Sequence, residues 1–136
     1  MNRELLSAEL IRDEDLRLKP YRCTAGKLTI GVGRNIEDVG ISKEEALFLL
    51  MNDMTRCEAD LRNAIPAFDG FPENVQRALC NMVFNMGINR VMQFRNMLDR
   101  LNMRDWAGAA DEALDSKWAA QVGDRAKRVA ELMRSA

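Results

Sequence analysis

The chain of 136 residues contains no histidine. Ser-His-Asp and Cys-His mechanisms and every His-ligated metal site are therefore excluded. Its three cysteines, Cys23, Cys57 and Cys80, are odd in number, far apart and at no zinc spacing. They cannot all pair, which is the usage of a chain made in a reducing compartment, and neither metal nor cofactor is expected. Chemistry falls to the carboxylates, and Glu14 in Arg12-Asp13-Glu14-Asp15 is the first candidate. By charge pattern alone this run reads as a solvated acidic patch. Three and four residues before Glu14, however, lie Ile11 and Leu10, so Glu14 continues an apolar helix face that Asp13 and Asp15 only flank. Partial burial there, and a place near the helix C-terminus, would both raise its pKa. A carboxylic acid kept protonated near neutral pH can give a proton to a leaving glycosidic oxygen.

Cys23 and Thr29 lie on either side of the turn Thr24-Ala25-Gly26. Thr29 shares the parity of Lys27 and Gly31 and faces away from Leu28, Ile30 and Val32, which points its hydroxyl out of the core. Cys23 taken alone reads as a small hydrophobe. Gly31-Val32-Gly33 is too short for a phosphate loop and marks a bend or a close backbone approach. Further on, Phe84 serves either packing or a sugar platform. Trp106 and Trp118 read as core, and Arg125-Ala126-Lys127-Arg128 as a solvated helix face.

These residues need elements to place them. The spacing predicts a first helix from about Arg3 to Glu14, and alternation over 28–32 predicts a strand within a hairpin from Tyr21 to Gly33. Ser42-Lys43-Glu44-Glu45 is a capping box that opens a long helix ending before Pro66. Pro72 suits the first turn of a helix carrying Val75, Leu79, Met82, Val83 and Met86 and stopping at Gly87. Further helices are expected near 91–101, 104–115 and 124–134, the last capped by Asp124. The class is α+β and mostly helical, one domain over 1–136. Its small hairpin lobe covers about 12–60, and its helical lobe about 61–136 plus the first helix.

Composition agrees with a globular chain, 47% apolar and 30% charged. The net charge of −1 and the lack of a dense basic stripe exclude a general nucleic-acid binder. Residues 1–70 hold 10 basic and 13 acidic side chains and residues 71–136 hold 10 and 8, so only the second half is mildly positive. No apolar run is long enough to span a bilayer. Glu4 and Glu9 interrupt what a signal peptide would need to keep apolar, so the chain is expected to be made in the cytoplasm without an export signal.

The stretch Ile11 to Gly33 resembles the active-site segment of phage-type lysozymes, whose signature is Glu, eight residues, Asp or Cys, five residues, Thr, then Ile-Gly-x-Gly. Here the members are Glu14, Cys23, Thr29 and Ile30-Gly31-Val32-Gly33. Asn81 to Gly87, Trp106, Ser116-Lys117-Trp118 and Arg125 to Val129 match the family in order and approximate spacing. The resemblance implies a two-lobed lysozyme-like fold with a cleft between the lobes. It implies cleavage of the β-1,4 bond between N-acetylmuramic acid and N-acetylglucosamine in peptidoglycan, with no cofactor. Glu14 would be the general acid, Cys23 and Thr29 would hold the attacking water, and Phe84 and Arg125 would contact substrate. Arg125 falls where the family places a cation near the catalytic Glu.

Three departures stand out. The connection Arg34 to Gly40 is short, so part of the family's sheet is expected to be missing. Arg34 replaces a common histidine, and Cys23 stands where many members carry Asp. A thiol with an ordinary pKa of about 8.5 is mostly neutral at pH 7 and a poorer partner for oxocarbenium charge than a carboxylate. Rival readings are a lytic transglycosylase using Glu14 alone and a non-catalytic peptidoglycan-binding relative. A monomer is expected, acting on the wall after release through a lesion made by a holin-type partner.

Overall fold

Asn2 caps the first helix, α1 (Arg3–Glu14), its side-chain oxygen accepting from the Leu5 N–H at 3.0 Å. Both ends fall where the apolar spacing put them. The computed structural model describes residues 1–136, which form two compact units, Met1–Phe48 and Leu49–Ala136. The first holds α1 and a three-stranded antiparallel sheet in the order β1 (Arg17–Arg22), β2 (Leu28–Gly31), β3 (Arg34–Asn35). Tyr21 pairs with Thr29 and Arg17 with Gly31, with an irregularity between the two pairs. β3 is an addition to the expected hairpin. The chain turns back directly after Gly33, and Asn35 pairs with Thr29 and Arg34 with Ile30.

The short connection after β3 is fastened by polar groups. Lys27 pairs with Asp38 at 3.3 Å and Glu37 at 3.5 Å, and the Arg34 guanidinium donates to the Gly40 carbonyl and the Glu45 carboxylate, both at 3.0 Å. The capping box forms as its sequence predicts. The Ser42 N–H donates to Glu45 Oε1 at 3.0 Å, and the Glu45 N–H donates to Ser42 Oγ at 3.1 Å. It opens α2 (Lys43–Ala64), which ends two residues before Pro66 and contains the division between the units. No helix is long and apolar enough to cross a membrane.

The second unit continues through a 3-10 turn (Phe68–Gly70), α3 (Glu73–Met86), α4 (Ile88–Val91), α5 (Arg95–Asn102), α6 (Trp106–Leu114), α7 (Lys117–Val122) and α8 (Asp124–Arg134). Its core joins Leu61, Phe68, Val75, Leu79, Met82, Val91, Met97, Leu101, Val129 and Met133, all essentially without solvent exposure. The predicted stripe of α3 is that core's spine, and only Met86 is left half-buried. Burying each such Leu, Met or Val contributes about 1.5–3 kcal/mol against the entropy of ordering it.

Three expectations need correction. The helix expected near 91–101 is two helices, because the backbone at Phe94 leaves helical geometry before α5 begins. Asp124 does not cap α8. Gly123, with φ +60°, occupies the cap position, and Asp124 lies in the first turn, 3.7 Å from Lys127. The short helix α7 was not expected; Ser116 caps it by accepting from the Ala119 N–H at 3.1 Å.

Candidate active site

Glu14 is the last residue of α1, and Asp15 ends the helix with its N–H on the Ile11 carbonyl at 2.9 Å. Asp15 has φ +69° and ψ +159°, a region that side chains other than glycine avoid. Its own carboxylate accepts from the Leu16 N–H at 2.9 Å and steadies this abrupt turn into β1. The carboxyl of Glu14 lies against Gly33 in the β2–β3 turn. The expected partial burial is not found. Glu14 is exposed, and its neighbours Leu10 and Ile11 are 44% and 43% exposed, because α1 contains no fully buried residue.

The strand register brings Cys23 and Thr29 together around one tight turn. The Cys23 N–H donates to the Lys27 carbonyl at 3.0 Å and the Gly26 N–H to the Cys23 carbonyl at 2.8 Å. The Thr29 hydroxyl donates to the same Lys27 carbonyl at 2.9 Å. Thr29 is only 3% exposed, while Leu28 and Ile30 are half-buried and Val32 is exposed. The expected parity is thus reversed: Thr29 is the one buried residue of β2, and its hydroxyl is satisfied by the Lys27 carbonyl. The Cys23 thiol is free and half-buried. The Lys27 backbone amide, then that of Ala25, hold its pKa below the ordinary thiol value. Backbone amides therefore favour the thiolate form of Cys23.

Within the second unit, Phe84 and Arg125 line one hollow of about 490 Å3 with Leu50, Met54, Cys57 and Cys80. Phe84 is 48% exposed, so it does not serve the core. Arg125 is fixed by Asn81, donating from Nε to the side-chain oxygen at 2.8 Å and from Nη2 to the backbone carbonyl at 3.4 Å. Lys127 and Arg128 form the exposed face predicted for them. Trp118 is core, as expected, and its indole N–H donates to Asn85 at 2.7 Å. Asn81 and Asn85 carry these three bonds; both lie in the family-like segment without a role legible in the sequence, since an asparagine beside an apolar stripe does not announce its partner. No three His, Cys, Asp or Glu side chains converge as metal ligands would.

The phage lysozyme family model matches residues 12–134. The chain belongs to the phage lysozyme family. An endolysin of Acyrthosiphon pisum secondary endosymbiont phage 1 is 37% identical over 111 residues, covering 79% of this chain and 72% of its own. A probable T4-type lysozyme of Dictyostelium discoideum is 30% identical over 146 residues, covering 86% of each. The pre-baseplate central spike protein of Enterobacteria phage T4 is 32% identical over 157 residues, 94% of this chain but 27% of the spike protein. The chain therefore spans about a quarter of that relative's length.

Proposed function

We propose that this chain is a peptidoglycan-degrading lysozyme. It hydrolyses the β-1,4 bond between N-acetylmuramic acid and N-acetylglucosamine, and its 136 residues act as a single catalytic domain. The observation that carries the reading is the placement of Glu14 against the β2–β3 turn, with Thr29 in β2 and Cys23 in the turn that precedes it, in a member of the phage lysozyme family.

Glu14 gives its proton to the leaving glycosidic oxygen, and positive charge develops on the ring as the bond opens. A water attacks from a site made by Cys23 and Thr29. The Thr29 proton is engaged by the Lys27 carbonyl, so the hydroxyl oxygen is left to accept a hydrogen bond from that water, whose proton passes to the Cys23 thiolate as the new C–O bond forms. Cys23, with its thiolate form favoured by backbone amides, takes the place that a carboxylate holds in many relatives and supplies negative charge facing the oxocarbenium. Phe84 provides an apolar face for a sugar ring and Arg125 a cation for substrate oxygens. The chain is made in the cytoplasm and reaches the wall through a membrane lesion formed by a partner; finding it in the periplasm of intact cells expressing it alone would refute this route.

Mass spectrometry of fragments released from purified peptidoglycan tests the reading. The wild type yields new reducing ends and Glu14→Gln yields none while keeping its far-ultraviolet circular dichroism. Fragments lighter by one water identify a transglycosylase. Binding to the wall without release identifies a non-catalytic relative.

A further inference from the structure

Gly33 has φ +65°, a conformation that favours glycine, but three other glycines of the first unit share it: Gly31 at +70°, Gly40 at +68° and Gly26 at +78°. What separates Gly33 is its neighbour. A Cβ placed there would lie 2.8 Å from Glu14 Oε2, 3.0 Å from Cδ and 3.2 Å from Cγ, whereas a Cβ at Gly31, Gly40 or Gly26 meets nothing within 4 Å. The space that a side chain would occupy at residue 33 is the space filled by the Glu14 carboxyl.

We infer that Gly33 is a positioning residue for Glu14: its bare Cα seats the carboxyl and sets where the acid proton is delivered. The inference rests on the reading of Glu14 as the general acid. Two features of the chain restrict the carboxyl from opposite ends. The helix stops at Glu14 and the backbone turns sharply at Asp15, which limits where the side chain starts; the β2–β3 turn limits where it ends. A methyl at residue 33 meets the far end of a flexible side chain, so rotation of Glu14 relieves the overlap at little expense to the fold. That rotation displaces the acid, and a displacement of about 1 Å from a productive geometry lowers turnover on the order of 10²-fold.

The test compares Gly33→Ala, Gly40→Ala and Glu14→Gln on a soluble glycan-strand oligosaccharide. Both glycine variants carry the same backbone strain, so thermal midpoints fall together. Only Gly33→Ala is expected to lose kcat, about 100-fold, with KM within about 2-fold. Equal kcat losses in the two glycine variants, or a loss confined to KM, would overturn the inference and leave the acid assignment intact. Activity retained by Glu14→Gln would overturn the acid assignment itself. Independently of any variant, the seated carboxyl predicts a nuclear Overhauser contact between the Gly33 Hα and Glu14 Hγ protons in the wild type. Its absence would refute the seating.

Discussion

At the scale of single residues, the position that departs most from a carboxylate signature is Cys23, and its surroundings compensate with backbone amides. The three thiols are sharply differentiated. Burial pushes Cys80 up to about 11 and also raises Cys57, while Cys23 is lowered. Alkylation with iodoacetamide near pH 7.5 is therefore predicted to label Cys23 first, with a pH midpoint below the ordinary thiol value of about 8.5. Peptide mapping that finds Cys57 or Cys80 labelled first would contradict it. The same charge argument predicts that Cys23→Ser, which cannot ionise, loses about 10-fold or more in kcat, and that Cys23→Asp keeps activity. Kinetics of the two variants on one oligosaccharide check this.

At the scale of elements, the capping box joins the sheet to α2 through Arg34. The Arg34 guanidinium, and after it the Ser42 backbone N–H, hold the Glu45 carboxyl at about 2. Because the folded value lies below the ordinary 4.5, this group stabilises the fold above about pH 4.5. The contribution disappears as pH falls through about 2. Glu45→Gln should lower the thermal midpoint at pH 6, with the difference from wild type vanishing by about pH 2. A constant difference across that range would show that the pair does not act through charge. Legibility followed the strength of local signals. The ends of α1 and α2 and the stop at Gly87 were readable because a period of 3.6, a Ser-x-x-Glu box and a glycine each have a direct backbone cause. The break at Phe94 and the orientation of Thr29 were not. A kink costs the apolar pattern nothing, and alternation over five residues separates the two faces of a strand without saying which one is buried. In the site, the spacing of Glu14, Cys23 and Thr29 was readable as a family pattern. The seat at Gly33 was readable only as a close approach of unknown partner.

At the scale of the whole molecule, the two units differ in how they are held. Leu49–Ala136 has a continuous apolar core, whereas in Met1–Phe48 the sole fully buried residue is Thr29, and the sheet and its turns are joined largely by hydrogen bonds and ion pairs. Leu79→Ala, at a site with no solvent exposure in the middle of α3, should cost about 2–5 kcal/mol in urea unfolding. A loss below 1 kcal/mol would mean that α3 is not the spine of that core. The central claim concerns water, since a hydrolase consumes one molecule per bond and a transglycosylase none. Digestion of purified peptidoglycan in oxygen-18 water, followed by mass spectrometry, decides it directly. With the wild type each newly formed reducing end is expected to carry one heavy oxygen, and Glu14→Gln is expected to give no new ends. Anhydro ends without label, or labelled ends that persist in Glu14→Gln, would contradict that claim.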